Sequence, residues 1–317
     1  VERIFDHPVL ALRTLREVRL LAHFHHPNML CLHELFLDGP GFQDAYLCME
    51  RMDGDLHLLI HGGKKALSDH QVQCVIYQVM RGLLCLRCAQ VIHRDLKPGN
   101  VLVRAGGEVK IADLGLSRGI DTAEDSHDTS MLTEYVVTRY YRAPEVVLTA
   151  SMYTFSVDMW SAGCILGEML TRRPVFEGKD SLDQVRKIIS ILGSELPEEM
   201  EWIPSSSPAR KFVELCMTSP KSGQLGQGLQ AMEQQPGMNP KAVDLLVNLL
   251  RFDPSKRLSV EEALEHSYLA GFQASEDPEV TAAKQVPQLD WSFDRDLCFD
   301  RTTGAPKPFE AESFRAA

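Results

Sequence analysis

Residues 93–100 read HRDLKPGN and lie between the end of a predicted helix and a short predicted strand. They therefore form a loop, which brings one carboxylate (Asp95), one cation (Lys97) and one carboxamide (Asn100) together within six residues. Thirteen residues after Asn100, in the stretch ADLGLSR, Asp113 supplies a second carboxylate, and the glycine two residues later lets the backbone turn sharply. We expect the fold to bring these four side chains to one site.

These residue types are the ones that phosphoryl transfer requires. One carboxylate orients the attacking hydroxyl and accepts its proton, and a lysine beside it stabilises charge on the moving phosphoryl group. A second carboxylate and an amide oxygen are hard ligands that suit Mg²⁺. Either fragment alone is most simply a surface loop or turn. The two fragments at this spacing, followed by YYRAPE at residues 140–145, favour a phosphoryl-transfer site.

Composition and charge limit the class of protein, because the 317 residues are 44% hydrophobic and can bury a large core. The formal charge of −11 argues against nucleic-acid binding, which relies on clustered Lys and Arg. Eight cysteines scattered through apolar runs are typical of reduced thiols in an intracellular protein. The location that we expect is the cytoplasm, with the nucleus as the second candidate. The C-x-x-C spacing of Cys85 and Cys88 lies in a helical run and indicates core packing rather than a metal or redox site. No apolar run is long enough for a membrane span, and no signal peptide is visible.

The hydrophobic pattern predicts a few strands followed by many helices. The first 22 residues have the spacing of an amphipathic helix, and two short apolar runs separated by DGPG predict two antiparallel strands. A long helix follows with Ser68 as its N-cap, and two more short strands flank the turn sequence AGG. After residue 150 we expect mainly helices, with a loop-rich insertion at about residues 194–240 that has little regular structure. This order predicts an α+β fold with segregated layers.

Three motifs carry a resemblance to a known family. His93–Asn100, Asp113–Gly115 and Ala143–Glu145 resemble the signature set of the eukaryotic protein kinases, and the lysine after HRDL resembles the serine/threonine class. The resemblance implies ATP and Mg²⁺ as cofactors. It also implies a two-lobed, protein-kinase-like fold, with a partial β-rich small lobe at 1–52, a helical large lobe at 53–270 and a C-terminal extension over the surface at 271–317.

The resemblance also assigns roles to single residues. The motif positions imply Asp95 as the catalytic base, Lys97 near the γ-phosphate, and Asn100 and Asp113 as Mg²⁺ ligands. Glu17, in RTLREVRLL, resembles the helix glutamate that pairs with a strand lysine. The positions that resemble the adenine-binding set are Met49 behind the pocket, Glu50 to Met52 as the hinge, and Leu102 beneath the ring.

Supporting contacts are implied in the same way. Asp158 resembles the aspartate that braces the HRD backbone, and a buried carboxylate requires such partners. Glu145 and Arg257 resemble the internal ion pair of the kinase family.

The stretch MLTEYVVTRYYRAPE at residues 131–145 resembles more specifically the activation segment of the mitogen-activated protein kinases. Thr133 and Tyr135 stand where that family is phosphorylated, and a solvated loop is the simpler alternative. Each phosphate adds about −1.5 to −2 charges, and Arg binds phosphate bidentately, so phosphorylation would order the loop. The arginines that match the phosphate-binding positions of the family are Arg16, Arg94 and Arg118 for Thr133, and Arg139 and Arg142 for Tyr135.

The resemblance also implies partners. These are protein substrates with Ser-Pro or Thr-Pro sites, an upstream dual-specificity MAP kinase kinase, and phosphatases. The family carries an acidic docking cluster after its last helix, where this chain has Glu276 and Asp277. Ala274 occupies a position where an acid is common, so a solvated turn is the alternative. No nucleic-acid or membrane partner is expected.

The Gly-rich strand pair and the strand lysine that hold the ATP phosphates in that family have no counterpart, since no lysine precedes Lys64 and no glycine precedes Gly39. Two interpretations remain open: a truncated piece of an ordinary kinase, or a kinase-like scaffold without turnover. The intact catalytic loop and phosphoacceptors favour the first. We expect the chain as written to bind Mg-ATP poorly and to expose one face of its small lobe.

Overall fold

The computed structural model describes residues 1–39, 43–120, 139–149, 154–193, 198–217, 229–272 and 286–291. Its first elements are helix α1 (Pro8–His23) and the antiparallel strands β1 (Leu32–Asp38) and β2 (Asp44–Met49). A proline suits the first turn of α1, because its fixed backbone angle is helical and its missing N–H has no partner to lose. The predicted helix and the predicted pair of antiparallel strands are confirmed.

The β1–β2 pair has large apolar side chains in contact with solvent. The residues concerned are Leu35, Phe36, Leu37, Tyr46 and Met49, of which Phe36 and Tyr46 are half exposed. The backbone of Val1 pairs with that of Ala45 through two hydrogen bonds, of 2.7 and 2.9 Å. The exposed apolar face expected for this part of the chain is therefore present.

Next come strand β3 (Gly54–Asp55) and helices α2 (Leu56–His61) and α3 (Asp69–Cys88). The N-terminus of α3 is fixed by a capping box, in which Ser68 and Gln71 each accept a hydrogen bond from the backbone N–H of the other. Cys85 is fully buried within α3, and burial raises the pKa of its thiol to about 12. The described cysteines, including Cys85 and Cys88, are free, which agrees with the core-packing interpretation.

Four short strands bracket the HRDLKPGN loop. Strands β4 (Val91–Ile92) and β7 (Arg118–Gly119) pair antiparallel, and β5 (Val101–Val103) and β6 (Val109–Ile111) form a hairpin that β3 joins through β5. The loop therefore starts directly after β4 and ends at β5, through one 3₁₀ turn at Pro98–Asn100. Asp113 follows β6, so the hairpin brings the ends of the two predicted site segments together.

The remaining described elements are mainly helical. They are α4 (Pro144–Thr149), α5 (Ser156–Thr171), α6 (Ser181–Leu192), α7 (Pro208–Met217), α8 (Pro240–Leu249) and α9 (Val260–Glu265). Thirteen of the sixteen residues of α5 are buried, as its nearly continuous apolar sequence predicts. Strands in the first part and helices afterwards confirm the α+β fold class.

Helix α7 corrects one prediction. The insertion at 194–240 was expected to have little regular structure, yet ten of its residues form α7, and Gln230–Gln234 form a 3₁₀ helix. The reason is helical spacing of apolar residues within a polar sequence, since Phe212, Val213 and Cys216 pack toward the main core. The Pro, Ser, Gly and Gln residues on both sides of α7 are typical of loops, so the sequence pattern predicted loops there.

Part of the C-terminal extension packs against the helical core. Trp291 is buried, and the carbonyl of Pro287 lies 2.8 Å from Nε2 of His23, near the end of α1. Of the helices in the described ranges, none has both the length and the apolar composition that crossing a bilayer requires.

Candidate active site

Asp158, in the first turn of α5, holds the backbone of the HRDLKPGN loop in place. Its two carboxylate oxygens accept hydrogen bonds from the backbone N–H groups of His93, at 2.7 Å, and Arg94, at 2.9 Å. Burial raises the pKa of Asp158, while these two donors act in the opposite direction. Arg94 has a φ of +71°, a left-handed conformation that the two hydrogen bonds help to hold. The bracing contact implied by the resemblance is therefore present.

His93 connects this loop with the segment before Asp113. Its Nδ1 accepts a hydrogen bond of 3.3 Å from the backbone N–H of Asp95, so its Nε2 donates to the carbonyl of Ala112, at 3.0 Å. The hydroxyl of Ser117 donates to the carbonyl of His93. The buried imidazole thus fixes where Asp95 stands relative to Asp113.

Asp95, Lys97 and Asn100 form one hydrogen-bonded cluster. Lys97 Nζ lies 2.7 Å from Oδ2 of Asp95, and the amide nitrogen of Asn100 donates to Asp95 at its main-chain carbonyl, 2.9 Å, and at Oδ2, 3.2 Å. The Asp95 side chain is buried and Lys97 is one-quarter exposed. A carboxylate with charge-assisted donors is held in one orientation, as a general base requires.

Asn100 and Asp113 lie at the two ends of the β5–β6 hairpin. The backbone N–H of Ala112 donates to the carbonyl of Asn100 at 2.9 Å, which brings the two segments side by side. The Asn100 amide nitrogen is used by Asp95, and neither its amide oxygen nor the exposed Asp113 carboxylate takes part in a hydrogen bond within the described ranges. Two hard oxygen donors fit a Mg²⁺ that keeps phosphate and water ligands.

A dedicated protein cage for a metal is not found at this site. The described parts of the chain contain no group of three or more His, Cys, Asp or Glu side chains placed to hold an ion. A set of one amide and one carboxylate suits the way Mg²⁺ binds together with a nucleotide.

Glu17, on α1, stands near Asp113 and is half buried. Burial and the negative charge of Asp113 raise the pKa of Glu17 to about 7, against a smaller effect of the N-terminal amine. Glu17 forms no ion pair with any residue of the described ranges. The structure thus brings the predicted helix glutamate close to Asp113, and no Lys or Arg side chain of the described residues forms an ion pair with it.

The predicted adenine-binding residues lie on two strands and the segment between them. Met49 ends β2 and is 38% exposed, Met52 packs partly against the core, and Leu102 sits on β5 opposite Asp55. Glu50 is paired with two cations, Lys110 at 2.8 Å and Arg104 at 3.3 Å.

Comparison with known proteins agrees with this geometry. A protein-family model described as protein kinase domain matches residues 6–269. Mitogen-activated protein kinase 2 of Arabidopsis thaliana is 43% identical over 272 residues, which are 85% of this chain and 69% of the relative. Mitogen-activated protein kinase spk1 of Schizosaccharomyces pombe is 41% identical over 90% of this chain and 74% of its own length, and mitogen-activated protein kinase 14 of Arabidopsis thaliana is 39% identical over 94% and 77%.

The chain belongs to the mitogen-activated protein kinase family. It has a protein kinase domain with the α+β fold of that domain, in which the described strands all lie before residue 120 and mainly helices follow them. Protein kinase domains in general use ATP with Mg²⁺, which agrees with the oxygen donors of Asn100 and Asp113.

The internal ion pair of this MAP kinase family member is fully buried. Arg257 binds Glu145 through two parallel contacts of 2.5 and 2.6 Å, and its guanidinium lies 4.9 Å from the centre of the Trp160 ring. Arg257 also donates to the carbonyl of Arg251. This pair joins α4 to the segment between α8 and α9 and confirms the contact implied by the sequence.

The five predicted phosphate-binding arginines belong to several elements. Arg16 is buried in α1. Arg118 lies in β7 and pairs with Ile92, the residue that directly precedes the loop with Arg94. Arg139 donates to the carbonyl of Lys179 at 2.6 Å. The fifth, Arg142, follows the 3₁₀ helix Arg139–Tyr141. Thr133, Tyr135, Glu276 and Asp277 lie outside the described residues.

Sequence reasoning missed a buried network behind Tyr141. Glu168 of α5 accepts a hydrogen bond of 2.6 Å from the Tyr141 hydroxyl and lies 2.8 Å from Nε2 of His61 on α2. Burial and the adjacent Glu168 raise the pKa of Tyr141. The signal in the sequence was an acidic residue inside the apolar run SVDMWSAGCILGEML, which requires a polar partner.

Proposed function

We propose that this MAP kinase family member transfers the γ-phosphate of ATP to serine or threonine residues followed by proline. The observation that carries the proposal is the cluster of Asp95, Lys97 and Asn100, with Lys97 Nζ 2.7 Å from the Asp95 carboxylate. The relatives named mitogen-activated protein kinases support a protein kinase activity.

In this mechanism Asp95 accepts the proton of the substrate hydroxyl. The hydroxyl oxygen forms a bond to the γ-phosphorus, the bond between that phosphorus and the β–γ bridging oxygen breaks, and ADP leaves with the electron pair. Lys97 stabilises the charge that develops on the transferred group. Mg²⁺, when bound, neutralises the phosphate charges, and Asn100 Oδ1 with Asp113 would hold it.

Regulation is part of the proposal. Phosphorylation of Thr133 and Tyr135 by an upstream dual-specificity kinase would create charges for Arg16, Arg94, Arg118, Arg139 and Arg142, and phosphatases would reverse it. The burial of Arg16 and Arg118 supports this, since partly desolvated guanidinium groups bind phosphate more strongly than solvated ones. Glu276 and Asp277 are proposed to dock basic peptides of partners.

The test is a phosphorylation assay with the purified chain. Peptides with Ser-Pro or Thr-Pro should be phosphorylated, though slowly, because the chain is expected to bind Mg-ATP poorly. Peptides with Ser-Ala should not be phosphorylated, and Asp95→Asn should lower the rate by about 10²- to 10⁴-fold. Asp6→Asn, which alters an exposed pair with Arg3, is the control and should keep the parent rate. Equal rates for Asp95→Asn and the parent chain would contradict the proposal.

A kinase-like scaffold without turnover is the second candidate. The observation that favours it is Glu17, whose pKa is raised to about 7 and which has no ion-pair partner within the described ranges. A scaffold would show no phosphorylation above Asp95→Asn, yet would still bind a Ser-Pro peptide. The same assay, combined with peptide binding, therefore separates the two candidates.

A further inference from the structure

The carboxylate of Glu50, in the segment that follows β2, is held by two cations of the β5–β6 hairpin. Its Oε1 lies 2.8 Å from Lys110 Nζ and its Oε2 lies 3.3 Å from an Arg104 nitrogen. The Glu50 side chain is 19% exposed and that of Lys110 only 10%. Ion pairs that are shielded from water in this way are stronger than surface pairs. Removal of Lys110 would leave Glu50 only the longer contact with Arg104, whose guanidinium also pairs with Glu108.

Backbone contacts tie the same segment to the same hairpin. Arg104 donates to the carbonyl of Arg51 at 2.9 Å, and the backbone N–H of Asp53 donates to the carbonyl of Val103 at 3.0 Å. In return, Asp53 Oδ2 accepts a hydrogen bond of 2.7 Å from the N–H of Ala105. These contacts therefore fix the position of residues 50–53 relative to the hairpin.

The hairpin also carries the predicted floor of the adenine site. Leu102 lies directly opposite Lys110 in the antiparallel register, so the two side chains project from one face of the hairpin. The hairpin begins just after Asn100 and ends just before Asp113. One small element thus sets the gap between the hinge and Leu102, where the adenine ring would lie.

We infer that Lys110 and Arg104 are positioning residues for the adenine end of the nucleotide, acting through Glu50. The inference rests on the proposed function, because it needs a nucleotide between the hinge and Leu102. Their charges fix the hinge against the hairpin and leave the phosphate end, at Asn100 and Asp113, unchanged.

Adenosine is the probe that isolates this effect, because it has no phosphates and does not depend on Mg²⁺. Adenosine and Mg-ATP are titrated into the full chain and its variants by calorimetry or NMR. Lys110→Met should weaken both ligands by the same factor of about three- to fivefold. Lys110→Arg should bind within about twofold of the parent, since it keeps the charge.

Two further variants separate positioning from general damage. Asp113→Asn should weaken Mg-ATP and leave adenosine unchanged, since Asp113 lies at the phosphate end. Lys64→Met removes an exposed lysine and should change neither affinity. If Lys110→Met does not fold, as its circular dichroism would show, Arg104→Gln carries the test, because Arg104 is 35% exposed and its loss disturbs the core less.

The outcomes distinguish this inference from the function it rests on. Parent and Lys110→Met chains that bind adenosine equally would overturn the positioning role and leave the proposed kinase function standing. A folded Lys110→Arg chain as weak as Lys110→Met would also overturn it, since charge would not be the cause. A parent chain that binds neither adenosine nor Mg-ATP would overturn both.

Discussion

The backbone N–H of Arg94 donates a 2.9 Å hydrogen bond to Oδ1 of Asp158, a residue 64 positions later in the chain. This contact and its neighbour from His93 hold a left-handed residue in a loop that would otherwise prefer another conformation. The position of the HRDLKPGN loop thus depends on one buried carboxylate at the start of α5.

Asp158→Asn should destabilise the protein. An amide offers one acceptor oxygen, and its NH₂ group would face the second backbone donor, so one buried N–H loses its partner. We expect a loss of about 1–3 kcal/mol in the free energy of unfolding, measured by chemical denaturation. Asp6→Asn, at an exposed position, is the control and should change it by less than about 0.5 kcal/mol. Equal stability of the two variants would show that the brace is not needed.

We expect the stability of the protein to depend on pH through Glu17. Its pKa is about 7 in the folded chain, above the ordinary value of 4.5, so the folded state binds the proton more tightly than the unfolded state. Stability is therefore greatest at low pH in this respect and falls as pH rises from about 4.5 to 7. The contribution is about 3 kcal/mol at most.

Glu17→Gln isolates the contribution of Glu17 to the pH dependence of stability, because glutamine does not titrate. The unfolding free energies of both chains are measured between pH 5 and pH 8. Both chains carry the same histidines, so histidine titration contributes equally to the two curves. The stability of the variant relative to the parent should rise with pH over this range. A constant difference between the two curves would mean that the Glu17 pKa is not raised.

The elements that were predicted from the sequence are those whose signals are local. Helix α3 has its cap residue and its apolar spacing within one continuous stretch, so Ser68 marked its start correctly. The HRDLKPGN loop and Asp113 were predicted to share one site from their residue types and spacing. The β5–β6 hairpin between them brings the two segments side by side.

What could not be predicted depends on contacts between distant residues or on diluted patterns. Arg104 meets Glu50 across 54 positions, and no local spacing of charges indicates that pair. Helix α7 was not predicted, because its apolar positions lie in a stretch rich in Pro, Ser and Gly. A largely buried acid such as Glu50 requires a partner, but its own position in the sequence does not indicate which residue supplies it.

Because Glu145 and Arg257 form a buried ion pair, we expect loss of one partner to destabilise the protein more than replacement of both by apolar residues. Arg257→Ala leaves the Glu145 carboxylate buried without its cation and should cost about 3–5 kcal/mol. Arg257→Lys should recover only part of that, since lysine cannot make two parallel contacts. The double variant Glu145→Met/Arg257→Met should be more stable than Arg257→Ala, as thermal denaturation would show. A double variant less stable than the single one would contradict this account.

Gly119 in β7 has no room for a side chain, because a Cβ there would lie 2.5 Å from the indole nitrogen of Trp291 and 2.7 Å from a ring carbon. The backbone is normal at this position, so the expected cost of Gly119→Ala, about 1–3 kcal/mol, comes from crowding alone. Gly271→Ala is the matched control, since nothing lies within 4 Å of its added Cβ. In the double variant Gly119→Ala/Trp291→Ala the crowding disappears, so it should be no less stable than Trp291→Ala, and the two single effects should not add. Additive losses in chemical denaturation would mean that Trp291 does not pack on β7.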